Sequence, residues 1–500
     1  MPAPLLTARL RPLALACLLA LAATGCTVGP DYRRPTVDMP VAYKEAAGWK
    51  PATPSDDQPR AAWWTRYGDP TLDALMPQVE ISNQNVAQYA AQYAQAQALV
   101  SQARAGFFPT LTGTVSGTRS GSGSGSYATG TSSSASGARV SNEVSASLGL
   151  SWELDLWGKL RRTYEEQQAS AQASLADLVN AVLSAQSSLA QDYFSLRILD
   201  ERIDLYEQTI RAYAQYLRVI ENKYADSQVS RADVAQARNQ LESAKASVQD
   251  LAWQRAQYEH AIAILIGKAP AAFSLPRATG TALRLPDIPV GLASTLLERR
   301  PDIAAAERAV ASANAAIGVA IAAYFPDLTL SASGGFENSS AHKLFTVPYR
   351  FWSIGPSFSQ TLFDFGATQA QVAQARASYD AAVAGYRQTV LTALGEVEDY
   401  LAKLRILDGE LASQQRAAEA AIESARVTRD QYDEGMIDYL DVATTEATSL
   451  SAQQSLWQLK GTQLTTSVQL IVALGGGWNG TNPTLPASVE QEAPGTAQGK

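Results

Sequence analysis

Cys26 is the side chain whose surroundings most directly prescribe a reaction. Arg9 and Arg11 precede an apolar run over residues 13–23 that ends in Thr24-Gly25-Cys26. That run is too short to remain as a membrane span and reads as an export signal. The small residues before Cys26 fit a bacterial lipoprotein processing site, with Ala23 where Leu is commoner. Cleavage before Cys26 would leave a diacylglyceryl group on its sulfur, and with an added N-acyl chain this anchors far more firmly than one lipid does. Ordinary cleavage without lipidation is the alternative. The other cysteine, Cys17, lies inside the signal, so the mature chain has no thiol pair and no disulfide framework.

Carboxylates supply the remaining candidate chemistry. Ser230 with Asp233, and Asp438 with Asp441, have the spacing of a capping box at a helix start, where acids also complement the helix dipole. His260 and His342 are too far apart to mark a metal cluster, and both read as solvated. The sequence has no phosphate-cradling glycine loop, nucleophile elbow or Cys–His pairing. It therefore predicts no catalytic residue, no metal site and no cofactor apart from lipid on Cys26, and an enzyme is rejected. Removing residues 1–25 takes the formal charge from −8 to −10, a poor balance for binding nucleic acid.

The elements that carry these residues repeat. Shifting the sequence by 208 residues lays Leu175, Val182, Leu189, Leu196, Ile203, Ile210, Leu217 and Tyr224 over Val383, Val390, Val397, Leu404, Leu411, Ala418, Ala425 and Tyr432. A seven-residue apolar period held this long predicts helices that supercoil around neighbours. The same shift carries Asp233-Val234 onto Asp441-Val442, so each long helix turns back into a shorter one. A helix over residues 159–224 would span roughly 100 Å at 1.5 Å per residue, too deep for a globular core. Composition agrees: 46% apolar residues with only 11 Phe among 500 suits long helices packed on small side chains.

Before each long helix lies an alternating segment. Val144, Ala146, Leu148, Leu150, Trp152, Leu154 and Leu156 alternate with Ser145, Ser147, Gly149, Ser151, Glu153 and Asp155. Leu328, Leu330, Ala332, Gly334 and Phe336 repeat the pattern, with weaker partners over residues 110–118 and 351–363, the latter interrupted by Pro356. Ten-residue alternation suits a transmembrane β-strand. After the signal no apolar stretch is long enough for a spanning helix. Lipid leaves an open sheet edge unsatisfied, and four strands cannot close, so copies must pool their strands. Two copies make a narrow barrel, whereas three make twelve strands and an aqueous lumen. The Ser/Gly-rich residues 119–137 fit an external loop.

Taken together, these features resemble the outer membrane channels of tripartite efflux pumps, the TolC-like superfamily, in its NodT-type lipoprotein branch. The resemblance rests on Gly25-Cys26-Thr27-Val28-Gly29-Pro30-Asp31-Tyr32 with Pro35, on Trp63-Trp64 before Gly68-Asp69-Pro70, on Leu297-Glu298-Arg299-Arg300-Pro301-Asp302-Ile303, and on the duplicated plan. It implies an α+β membrane protein: a homotrimer whose twelve strands, four per chain, form one outer membrane β-barrel continuous with a periplasmic α-helical coiled-coil barrel. The division it implies is a signal over 1–25, an anchor and equatorial segment over 26–80, a first repeat over 81–267, an equatorial linker over 268–300, a second repeat over 301–475 and a flexible tail over 476–500. Within the repeats it places hairpins at about 109–156 and 327–363, long helices at 159–224 and 366–434, and return helices at 231–267 and 439–474.

The resemblance also implies a periplasmic gate at the helix returns, with Asp441 projecting into the aperture, Tyr432 linking coiled coils, and Asp438 and Asp233 beside them. Ser227, Val229, Gly435 and Met436 would dock the α-hairpin of a periplasmic adaptor, or membrane fusion protein, that connects to a proton-driven inner membrane pump of the resistance-nodulation-division type. Ile437, Thr444 and Ala232 replace an Arg, a second aperture Asp and a Thr of the best-known gate pattern, so apolar contacts are expected to hold the closed state in place of a polar latch. A type I protein secretion duct and a non-conducting coiled-coil scaffold are the rival functions. Trp63 and Trp64 read as packing anchors, and Asp69-Pro70 and Arg300-Pro301 as helix starts.

Overall fold

A computed structural model describes residues 27–40, 42–46, 62–122, 139–280, 284–286, 288 and 299–476. The signal, Cys26, most of the Ser/Gly-rich loop, the Leu297-Glu298 pair and the tail beyond residue 476 lie outside the described residues. The elements run α1 (Pro70–Ser82), α2 (Gln84–Ala105), β1 (Thr110–Ser122), β2 (Arg139–Leu154), α3 (Lys159–Ala225), α4 (Arg231–Leu265), α5 (Pro301–Ala322), β3 (Asp327–Asn338), β4 (Arg350–Ser359), α6 (Ala367–Asp433) and α7 (Tyr439–Ala473). The chain divides into two compact units, one of Met1–Pro35, Gln95–Gln172 and Arg308–Ala384, the other of Thr36–Ala94, Ala173–Glu307 and Gly385–Lys500.

The first unit holds one antiparallel sheet in the order β1-β2-β3-β4. Alternation along each strand becomes alternation across the whole sheet because the register is unbroken. Leu111 faces Leu150, Leu150 faces Ala332 and Ala332 faces Ile354, and the next row joins Gly113, Leu148, Gly334 and Trp352. The opposite face carries mostly Ser, Thr and Gly with Glu143, Glu153, Asp327, Glu337 and Phe351, and Ser116–Ser145 and Ser333–Ser353 hydroxyl pairs bridge its strands at 2.8 Å. Two strands differ from their sequence pattern. β1 continues past Thr118 to Ser122, and β4 stops at Ser359 while keeping Pro356, opposite Leu330, inside it. An edge strand can hold proline because one row of its backbone groups has no ladder partner to lose.

Where the strands give way to helices, Trp152 Nε1 donates to the Phe107 carbonyl at 3.0 Å and Trp157 Nε1 to that of Pro326 at 2.9 Å. Residues just after Cys26 are fastened here. Val28 N–H donates to the Trp157 carbonyl at 3.0 Å, and the buried Arg162 guanidinium reaches the Val28 carbonyl at 3.2 Å and Asp31 at 2.8 Å. Gly29 has φ of +94°, and a Cβ there would stand 2.5 Å from the Gly318 Cα, so only paired glycines permit this approach.

The second unit contains α4 and α7 and the greater part of α3 and α6. α3 and α6 each run 67 residues and α4 and α7 each 35, so the duplication is preserved in length. Leu189, Leu196, Ile203, Val390, Val397 and Leu404 of the heptad seams are buried. Trp63, Trp64 and Tyr67 are buried too, with Trp63 Nε1 donating to Gln186 Oε1 at 3.3 Å. Asp69 caps α1 by accepting from Thr71 and Leu72 N–H at 2.8 and 3.1 Å, and takes the Tyr193 hydroxyl at 2.6 Å. Fully buried Asp200 accepts from Arg197 at 3.1 Å and Arg255 at 2.6 Å. Those arginines also donate to the Pro276 and Leu275 carbonyls at 2.9 and 2.6 Å, binding the proline-punctuated segment after α4 to the helices. Burial raises the Tyr193 phenol to about 12.

Both helix returns use one left-handed residue. Ser227 has φ of 59° and its repeat equivalent Gly435 φ of 75°, each closing the preceding helix through paired backbone bonds: Gln228 N–H to the Lys223 carbonyl at 2.8 Å, and Met436 N–H to that of Gln431 at 2.9 Å. Serine bears a Cβ penalty there that glycine does not. Ser227→Gly is therefore expected to stabilise the first return by about 1 kcal/mol. Slower amide hydrogen exchange at the end of α3 checks this, and unchanged exchange would contradict it.

Candidate functional site

The helix returns of both repeats meet in one apolar cluster of the second unit. Ile220 and Ala237 come from the first repeat, Tyr432, Tyr439, Val442 and Ala443 from the second, with Leu217, Val229, Val234 and Ile437 packed around them. Tyr432 is 5% exposed, and its ring lies edge-on to Tyr439 with centroids 5.8 Å apart. The Lys223 ammonium sits 4.3 Å over the Tyr432 ring, an attraction to the π face. The Tyr432 hydroxyl has no hydrogen-bond partner among the described residues. Burial pushes this phenol above its ordinary range, and the nearby Asp233 and Asp433 carboxylates push it further.

Polar contacts rim the cluster. Tyr439 Oη donates to Gln240 Oε1 at 2.9 Å while Gln240 Nε2 donates to the Ala443 carbonyl at 2.7 Å, so one amide ties α4 to two turns of α7. Arg429 pairs with Glu446 across the second return, its guanidinium 5.7 Å from the Tyr216 ring centroid. Arg238 and Glu221 pair at 2.9 Å across the first.

The two returns start their second helices differently. Ser230 forms a complete capping box: its Oγ accepts from Asp233 N–H at 3.2 Å, and the Asp233 carboxylate accepts from Ser230 N–H at 2.9 Å. The matching box expected at Asp438 and Asp441 is absent, because Asp438 occupies the N-cap without a side-chain bond. At the first return the Ser230 hydroxyl also donates to the Asp233 carboxylate at 2.8 Å, a bond that an ionised Asp at the N-cap has no proton to make. Asp441 stays exposed, held only through its backbone, with N–H to the Asp438 carbonyl at 3.2 Å. Gly435 and Ser227 are exposed, Met436 is 60% exposed, and Val229 is half buried against the cluster. A side chain at Gly435 would meet nothing within 4 Å.

The structure thus brings Tyr432, Val229 and Ile437 together and leaves Asp441, Asp438, Gly435 and Met436 facing outward. Sequence reasoning missed Tyr439, Gln240, Lys223 and the Arg429–Glu446 pair. The repeat shift held one clue, since Tyr224 and Tyr432 are equivalent positions yet Tyr224 is 46% exposed. Only the partner across the return distinguishes them. Ile437→Ala removes one partly buried aliphatic side chain from this packing and is expected to weaken the tip by roughly 1–2 kcal/mol. Faster exchange of the Tyr432 and Val442 amides, with the sheet unaffected, is the corresponding observation.

Comparison with known proteins places this geometry. The family model for outer membrane efflux proteins matches residues 75–268 and again residues 292–476, once per repeat. The chain is 31% identical over 463 residues to the pyoverdine export outer membrane protein OpmQ of Pseudomonas aeruginosa, covering 93% of this chain and 96% of that one. It is 28% identical over 460 residues to the cation efflux system protein CusC of Escherichia coli, covering 92% and 97%. The solved outer-membrane channel OprN superposes with a TM-score of 0.82 at 30% identity over 91% of this chain and all of that one.

Proposed function

Since this chain belongs to the outer membrane efflux protein family and is an efflux exit channel of the outer membrane, we propose that three copies assemble into one duct that an inner membrane pump and a periplasmic adaptor feed. The observation that carries this reading is the sheet: one face apolar, the other polar, and the outer edges of β1 and β4 without a ladder partner among the described residues. In lipid such edges leave backbone N–H and C=O groups unsatisfied, which only closure removes. Three copies supply twelve strands, enough for a water-filled lumen lined by Ser and Thr.

The duct itself has no need of chemistry. Its relatives at similar identity are named for cation efflux and for pyoverdine export, so kinship alone selects no substrate, and small toxic compounds or drugs supplied by the pump suit a hydroxyl-lined passage. Deleting the protein should sensitise cells to a set of such compounds. A deletion strain indistinguishable from its parent across a broad panel of toxic compounds, metals and siderophores would remove the efflux reading.

At the helix returns Tyr432 biases a closed tip by joining both repeats, and exposed Asp441 contributes a ring of carboxylates that attracts cations. Ser227, Gly435 and Met436, exposed around the Val229 packing, form the adaptor's docking surface. Single-channel recordings of Tyr432→Ala, which removes the ring packed on Tyr439 and Lys223, combined with Asp441→Ala, should show higher open probability and weaker cation preference. Recordings identical to wild type would exclude the gate assignment.

Cys26 carries the lipid anchor in this reading. Support comes from Val28 and Asp31, two and five residues after Cys26 in the sequence, which are fastened by Trp157 and Arg162 beside the end of β2. Cys26→Ser should lose the mass of the acyl groups from the mature protein. An unmodified wild-type N-terminus would overturn the anchor.

A further inference from the structure

The sheet sorts its charges by face as well as its apolar side chains. Glu143, Glu153, Asp327 and Glu337 fall on the Ser/Thr face, as their registers with Thr118, Thr329, Ser359 and Ser145 require. Arg119, opposite Asn142, and Arg350, opposite Phe336, fall on the face of Leu111, Leu148, Ile354 and Trp352. Among the described strand side chains, the apolar face therefore bears two cations and no acid.

Both cations share three further properties. They sit on the two edge strands, Arg119 near the end of β1 and Arg350 at the start of β4, on the side of the sheet that ends in loops and not in helices. Both are exposed, and neither guanidinium has a hydrogen bond or ion pair among the described residues. On the other face, by contrast, Lys159 answers Glu153 at 3.1 Å and Asp327 at 3.4 Å. Toward the helix end from Arg350, Trp352, Ile354 and Phe358 are all at least 65% exposed and form a column that suits acyl chains.

Closing the barrel sets β4 of one copy beside β1 of the next, because those are the free edges. We infer that each junction holds a phosphate of an outer-leaflet glycolipid, gripped by Arg350 of one copy and Arg119 of the adjoining copy, with acyl chains along Trp352, Ile354 and Leu111. Guanidinium forks match phosphate oxygens bidentately. The loop-side level is where a cation on a lipid-facing strand costs least and meets headgroups. Exposed Lys343, in the loop between β3 and β4, adds positive charge at the same end. The apolar column below selects a lipid over a free anion. This inference rests on the membrane-barrel reading above.

The test uses the full-length trimer extracted from outer membranes, stripped of endogenous lipid and titrated with diphosphorylated lipid A or its dephosphorylated form, with bound lipids counted by intact-complex mass spectrometry. Up to three diphosphorylated lipids per trimer are expected, with Arg119→Gln and Arg350→Gln each weakening retention about fivefold while single-channel conductance stays at the wild-type value. Equal binding of the dephosphorylated lipid, an effect from only one of the two substitutions, or displacement by millimolar inorganic phosphate would each overturn the shared glycolipid site. A wild-type preparation that never conducts would overturn the barrel reading and this site with it, whereas a conducting trimer indifferent to phosphate overturns the site alone.

Discussion

Hydrogen-bond satisfaction in a solvent without water is the constraint on which the rest of this protein depends. Four strands in unbroken register, β1 to β4, satisfy one another internally and leave two rows of backbone groups open at the edges. In water those edges would be a hazard of aggregation, and in lipid they are untenable unless another copy covers them. The demand for partner copies is therefore written into a single chain. The same register puts leucine, isoleucine and tryptophan on one side and hydroxyls on the other, so a closed barrel has an oily outside and a wet inside without any residue having to choose twice.

The helical half answers a different problem. Helices of 67 residues cannot bury their faces in a globular core, and the heptad seam of Val390, Val397 and Leu404 buries them pairwise. Duplication makes the two halves nearly interchangeable along most of that length. At the returns the equivalence breaks: Tyr224 is exposed while Tyr432 is enclosed by Lys223, Tyr439 and Ile437. Ile437 fits that arrangement through packing, where an arginine would have required an acid.

The most deeply buried ion-pair cluster among the described residues lies away from the returns. Asp200 is enclosed between Arg197 and Arg255, and each arginine also satisfies a carbonyl of the segment after α4. Breaking one partner would strand a buried charge, so this cluster is a fixed joint and not an adjustable one. Arg162 of α3 and Asn314 of α5 similarly hold residues 28–31, Arg162 through Val28 and Asp31 and Asn314 through the Pro30 carbonyl.

Periodicity alone determined most of the architecture: period two gave the strands, period seven the long helices, and the 208-residue shift the duplication, because these patterns are set by backbone geometry. Local chemistry likewise made the Asp69 and Ser230 caps legible, since a cap acts within three residues. The same rule failed at Asp438: spacing marked the N-cap position, but it does not fix the side-chain orientation, and the Asp438 carboxylate makes no cap bond. Pro356 inside β4 could be placed only once the strand was known to be an edge. The Tyr439–Gln240 bond, the burial of Tyr432 over Tyr224 and the sorting of Arg119 and Arg350 onto one face all depend on which distant residue lies opposite. Sequence spacing fixes what is near along the chain, and only tertiary packing decides what is near across it.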